Sequence, residues 1–265
     1  CRNLFDSFIL KRQYTAMHGD DGEWSLQRLI KRKSKNQETP GYVNTFRRGR
    51  DIQEVEEDGV VDRTTNDLLL IQSMLRVTFT SARTMHWITM ILRQVGNQEP
   101  STVNEAELVK CLRNHARQKV KEAFPFEIDK EPRGFSINRI VFTYLDYLLL
   151  TDQQQSDFRF SFRNSIEHFY PQHPDEKQSG AVVTEDCLHR LGNLALVSVG
   201  ANSKFSNSLP KVKAENFRTT IETQSPKLQE MAKITRKDGW GNKEINDHHN
   251  KMVALLRDDV NMLPT

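Results

Sequence analysis

The chain has 265 residues, with 38 Lys+Arg against 35 Asp+Glu, 37% hydrophobic and 28% charged residues, and a formal charge of +3. That balance excludes a disordered chain and suits one large or two small domains, for which we expect lobes at 1–150 and 151–265. No stretch approaches the roughly 18 apolar residues of a membrane span, and CRNLFDSFIL lacks the order of a secretory signal, so a cytoplasmic protein without a membrane partner is expected.

The first residue is Cys1 rather than Met, which implies that an upstream segment was removed. Cys1, Cys111 and Cys187 are too few and too scattered for a disulfide framework or a CxxC zinc knuckle, and are expected as free thiols. Residues 25–50 carry Arg28, Lys31, Arg32, Lys33, Lys35, Arg47, Arg48 and Arg50 against one acid, Glu38, and an acidic run from Asp51 to Asp62 follows. A solvated loop is the favoured reading of the basic stretch; a strip that attracts phosphate is the alternative.

Beyond it, Leu68, Ile71, Leu75, Phe79, Trp87, Ile88, Ile91 and Leu92 recur at helical spacing, predicting one long or broken helix over 62–98 with a stop at Gly96. Met74, Met85, Trp87 and Met90 on it read as packing residues rather than a cofactor pocket. Further helices are predicted over 104–123, ended by Pro125, and over 136–150. At 151 the texture changes to a polar turn, and Phe158, Phe160 and Phe162 alternate with polar residues as in a half-buried strand. Short strands are predicted over 165–170 and 194–199, then helices over 203–222 with a break at Pro210, 225–234 and 242–260. The fold class is mainly α, with a small β element: α+β.

The chemistry concentrates in S-I-E-H-F-Y-P-Q at 165–172, L-G-N-L-A-L-V-S at 191–198 and G-A-N-S-K at 200–204. A carboxylate next to a histidine at the end of one strand, Asn193 opening the next, and Asn202 at a helix start can converge on one point. Phosphodiester hydrolysis needs such a set. A neutral histidine, His168, can deprotonate water near pH 7. Mg²⁺ (or Mn²⁺) held by one or two protein oxygens neutralises phosphoryl charge, and Glu167 and Asn202 suit so hard a cation. His173, Cys187 and His189 lack the second pair that a zinc site needs.

Glu-His, then Asn-Leu-x-Leu, then Asn-x-Lys resembles the HNH, or ββα-metal (His-Me finger), nuclease signature. The string IEHFYPQ…LHRLGNLALVSVGANSKFSN…K…W is similar to the C-terminal HNH domain of GmrSD-type modification-dependent restriction enzymes and related phage-defence nucleases, over about 136–260. The resemblance implies a small ββα-metal core and a DNA endonuclease, the effector of a bacterial restriction protein. It implies His168 as general base, Glu167 and Asn202 as metal ligands, and Asn193 as the residue that holds the loop and aims the histidine. Lys204, Lys211 and Lys213 would meet the DNA backbone. One such core cuts one strand, so nicking, or double-strand cleavage by a homodimer, is the expected product. The chain departs from the family in placing His248 where an arginine often follows Ile245 by three residues, and in lacking the upstream NTPase/sensor domain. The competing reading is a catalytically inactive nuclease-like module that binds DNA or docks a protein.

Overall fold

The computed structural model describes residues 2–13, 23–34, 37–46, 63–175 and 182–264. Lys35, Arg47, Arg48 and Arg50, the acidic run 51–62 and Cys1 lie outside them. The chain divides into two compact units, 1–115 with 155–160, and 116–154 with 161–265. This division falls earlier than the change of texture at 151, because the helix before it belongs with the motif segments.

The first unit contains α1 (Arg2–Phe8), β1 (Lys11–Gln13), β2 (Glu23–Ser25), β3 (Gln27–Ser34), β4 (Gln37–Asn44), α2 (Arg63–Thr78) and α3 (His86–Val95). β1 pairs with β2 and β3 with β4, both antiparallel, the latter from Gln27↔Asn44 to Ser34↔Gln37. Within residues 27–34 and 37–44 the favoured loop reading is therefore corrected to two paired antiparallel strands. Cations stand at positions of both faces of β3 (Arg28 and Arg32, Lys31 and Lys33), and this masks the period of two that marks a strand. The predicted long helix is broken, with a 3-10 turn at Ala82–Thr84 between α2 and α3. Met74 and Trp87 are fully buried core residues. Phe158–Phe162 does not form a strand: the Phe160 carbonyl accepts from Trp24 Nε1 at 3.0 Å rather than from a neighbouring strand.

α4 (Glu105–Ala123) is divided between the units, and the second unit also holds α5 (Arg139–Leu149), α6 (Asp152–Asp157, likewise divided), β5 (Ser165–His168), α7 (Glu185–Leu188), β6 (Leu194–Val197) and α8 (Val199–Phe205). It ends with α9 (Pro210–Asn216), α10 (Arg218–Glu222), α11 (Pro226–Asp238) and α12 (Asn242–Val260). β5 and β6 form a two-stranded antiparallel hairpin, Ser165↔Val197 to His168↔Leu194, and α8 follows directly, giving a β-β-α unit. Local chemistry sets the boundaries. Asn138, Ser198 and Ser225 cap α5, α8 and α11 by accepting from Ile140, Ala201 and Leu228 backbone N–H groups. Pro210 and Pro226 open α9 and α11, where a missing N–H costs nothing.

Phe169, Ala195, Val197, Phe205, Met231, Trp240 and Ile245 share one core that joins the hairpin to α8, α11 and α12. α12 lies so close to the 3-10 turn Leu191–Asn193 that a Cβ on Gly192 would sit 2.2 Å from the Ile245 carbonyl oxygen, a distance that only glycine avoids. Two buried lysines brace the hairpin from below. Lys227 Nζ donates to the Leu191 and Leu194 carbonyls, at the start of β6, and Lys213 Nζ to the His168 and Phe169 carbonyls, at the end of β5. A buried ammonium with several acceptors exchanges its hydration for fixed dipoles, which is what makes such a position tolerable.

Candidate active site

β5 delivers Glu167 and His168 as its last two residues, and α8 delivers Asn202 from its second turn. All three line one cleft of about 280 Å³, together with Phe135, Gln172 and His173. The structure thus brings together the three residues expected to carry the reaction.

Glu167 and His168 differ in their surroundings, as successive strand residues do. Glu167 Oε1 accepts from Lys213 Nζ at 2.6 Å, and both groups are buried. Burial pushes the Glu167 carboxyl up and the Lys213 ammonium down, and each partner pulls the other part of the way back. Among the described residues Oε1 is the engaged oxygen, and the Asn202 side chain makes no hydrogen bond. A carboxylate and a side-chain amide lining one cleft offer oxygen donors of the kind a hard cation takes. No group of three or more His, Cys, Asp or Glu side chains that could hold a metal ion occurs among the described residues. Cys111 and Cys187 are free thiols, and Cys187 Sγ faces Asn246 Oδ1 at 3.6 Å.

His168 is held on its other side. Its Nε2 lies 3.0 Å from Nδ1 of His189, with the rings nearly perpendicular at 88°, and the Phe135 ring meets it edge-on at 5.4 Å. Burial, with His189 and Lys213 nearby, lowers its pKa to about 4. The imidazole is therefore neutral at pH 7, the state in which it can accept a proton.

Asn193 does not line the cleft. It is fully buried, and its amide is saturated: Oδ1 accepts from Tyr170 N at 2.9 Å and Trp240 Nε1 at 3.0 Å, while Nδ2 donates to the Tyr170 and Leu188 carbonyls at 3.0 and 2.9 Å. Asn193 thus ties together the segments that carry His168 and His189. The expected DNA contact of Lys213 is corrected. At 0% exposure it cannot meet a DNA backbone, because its ammonium is spent on Glu167 and two carbonyls. Lys204 and Lys211 are exposed. His248, in place of the family's arginine, is buried and engages the Gly192 carbonyl through Nδ1 at 2.7 Å. Sequence reasoning missed His189. Its only signal was its position, immediately before the Arg-Leu-Gly-Asn turn that returns the chain to β6.

No curated protein and no solved structure matches the chain. A family model described as GmrSD restriction endonucleases, C-terminal domain, matches residues 121–255, which takes in α5, the β-β-α unit, the cleft and most of α12. The chain therefore belongs to the family of C-terminal domains of GmrSD restriction endonucleases.

Proposed function

We propose that this chain is a metal-dependent DNA endonuclease of the HNH type that nicks duplex DNA, as the effector part of a bacterial anti-phage restriction protein. The observation that carries the reading is the meeting of a neutral His168 with Glu167 and Asn202 in one cleft. His168 takes a proton from a water molecule, and the water oxygen attacks phosphorus as the bond from phosphorus to the 3′ oxygen breaks. The products are a 5′ phosphate and a 3′ hydroxyl, the latter protonated from solvent. Glu167 and Asn202 would hold Mg²⁺ or Mn²⁺, which when bound supplies positive charge to the phosphoryl oxygens and the leaving oxygen. Exposed Lys204 and Lys211 sit on and beyond α8, where they would hold the DNA backbone.

The test is supercoiled plasmid incubated with the protein in Mg²⁺, Mn²⁺ or chelator. Nicked circles are expected with either metal and unchanged plasmid in chelator. His168→Ala should stop nicking while DNA retention and the far-UV spectrum persist; full activity in that variant would remove the assignment. The Lys213–Glu167 ion pair favours a second reading, because an internal ammonium already neutralises the carboxylate. An inactive DNA-binding module would shift DNA equally well in chelator and leave every plasmid intact.

A further inference from the structure

We infer that His189 is a positioning residue: it holds His168 as the tautomer protonated at Nε2, leaving the Nδ1 lone pair for the proton of the attacking water. The inference rests on the nuclease reading for its purpose, but on geometry for its content.

The hydrogen bond that joins Nε2 of His168 to Nδ1 of His189 at 3.0 Å holds one proton, and there are two ways to place it. If His168 donates, His168 and His189 both carry hydrogen on Nε2, the intrinsically favoured tautomer of a neutral histidine side chain. If His189 donates, both must carry it on Nδ1, the disfavoured form, and His168 loses its free lone pair. The first arrangement is thus favoured at both rings at once. It also assigns the two nitrogens of His168 distinct tasks, one structural and one available.

The partner ring is itself seated from three directions. Gly134 N donates to the His189 carbonyl at 2.8 Å. Gly134 has φ +56°, a conformation that favours glycine, and a Cβ there would stand 3.3 Å from His189 Nδ1, a close contact beside the acceptor. Asn193 Nδ2 holds the Leu188 carbonyl one residue earlier, while the same amide pairs with Tyr170 two residues after His168. One side chain therefore fixes the backbones on which both histidines stand. Phe135, next to Gly134, meets the His168 ring in an edge-to-face contact at 5.4 Å.

The experiment compares wild type with His189→Leu, which removes the acceptor, and His189→Asn, whose Oδ1 can stand where Nδ1 stood. Long-range ¹⁵N–¹H correlation of the His168 ring reads the tautomer directly, whether or not the protein cuts DNA. Protonation at Nε2 in wild type and His189→Asn, with a mixed population in His189→Leu, is expected. Protonation at Nδ1 in wild type overturns the inference. In plasmid nicking, His189→Leu should lose about 100-fold in kcat with DNA and Mn²⁺ affinities within about two-fold, and His189→Asn should recover most of the rate. Unchanged turnover in His189→Leu also overturns it. If wild type fails to nick but shows the expected tautomer and its loss in His189→Leu, the nuclease reading fails and the positioning stands. Should His189→Leu not fold, wild type and His189→Asn decide by the ring spectra alone.

Discussion

Lys213 Nζ lies 2.6 Å from Glu167 Oε1 and also serves the carbonyls of His168 and Phe169, so one buried ammonium holds the side chain of one cleft residue and the backbone of the next. Removing one partner of a buried pair costs about 3–5 kcal/mol, because the other charge is left without compensation. Lys213→Met should lower stability by that amount in urea unfolding, with two strand-end carbonyls also orphaned. The loss should shrink in the double variant Lys213→Met, Glu167→Leu, in which no buried carboxylate remains. A single-variant loss below about 1 kcal/mol would contradict this account.

Asn193 fills all four of its hydrogen-bonding places inside the core. Each unsatisfied buried group costs about 1–3 kcal/mol, and Asn193→Ala strands partners on Tyr170, Leu188 and Trp240. We expect a stability loss of at least about 3 kcal/mol. Asn193→Asp should be worse still, since a carboxylate would face two carbonyl oxygens. The Mn²⁺ affinity of whatever folded fraction remains should match wild type; a selective loss of metal binding in a stable Asn193→Ala protein would return Asn193 to the cleft.

How these residues divide between chemistry and support was only partly legible in the sequence. The helices α4, α5 and α12 were visible because long segments average out local noise, and Pro125 marks the end of α4. Glu167, His168 and Asn202 were visible because adjacency and short spacing constrain where a strand and a following helix can put them. The fate of Lys213 was not, because a lysine 11 residues beyond Asn202 reads as surface until α9 is seen to turn it beneath β5. His189 was hidden for the same reason: its partner is 21 residues away, across a hairpin loop whose geometry no local pattern encodes.

Below the hairpin, His248 is buried with its pKa well below 6.5, first through burial and then through nearby Lys227. The unfolded chain therefore takes up a proton near pH 6.5 that the fold refuses. The stability conferred by a neutral His248 is full above about pH 6.5 and is lost as pH falls below it, by about 1.4 kcal/mol per pH unit. His248→Asn keeps a donor for the Gly192 carbonyl without a titrating group. Between pH 7.5 and 5.5 the wild type should lose about 1.4 kcal/mol more than this variant in urea midpoints. Parallel curves would show that His248 is protonated within the fold.

Asn202 tests the cleft from the opposite direction, since its side chain is half-buried and makes no hydrogen bond among the described residues. Asn202→Ala should shift stability by no more than about 0.5 kcal/mol, as for a surface substitution. Yet it removes one of the two oxygens proposed as ligands, and the Mg²⁺ concentration for half-maximal nicking should rise at least about ten-fold. Normal metal dependence in this variant would delete Asn202 from the ligand set. Lys204→Ala and Lys211→Ala supply the contrast. Each exposed cation that neutralises a phosphate contributes about 0.9 to the slope of log affinity against log salt. Each variant should therefore flatten that slope by about one, weaken DNA retention at low salt, and leave the Mg²⁺ requirement where it was. A lysine variant that changes the metal requirement, or an Asn202 variant that changes only the salt slope, would exchange the roles proposed for them.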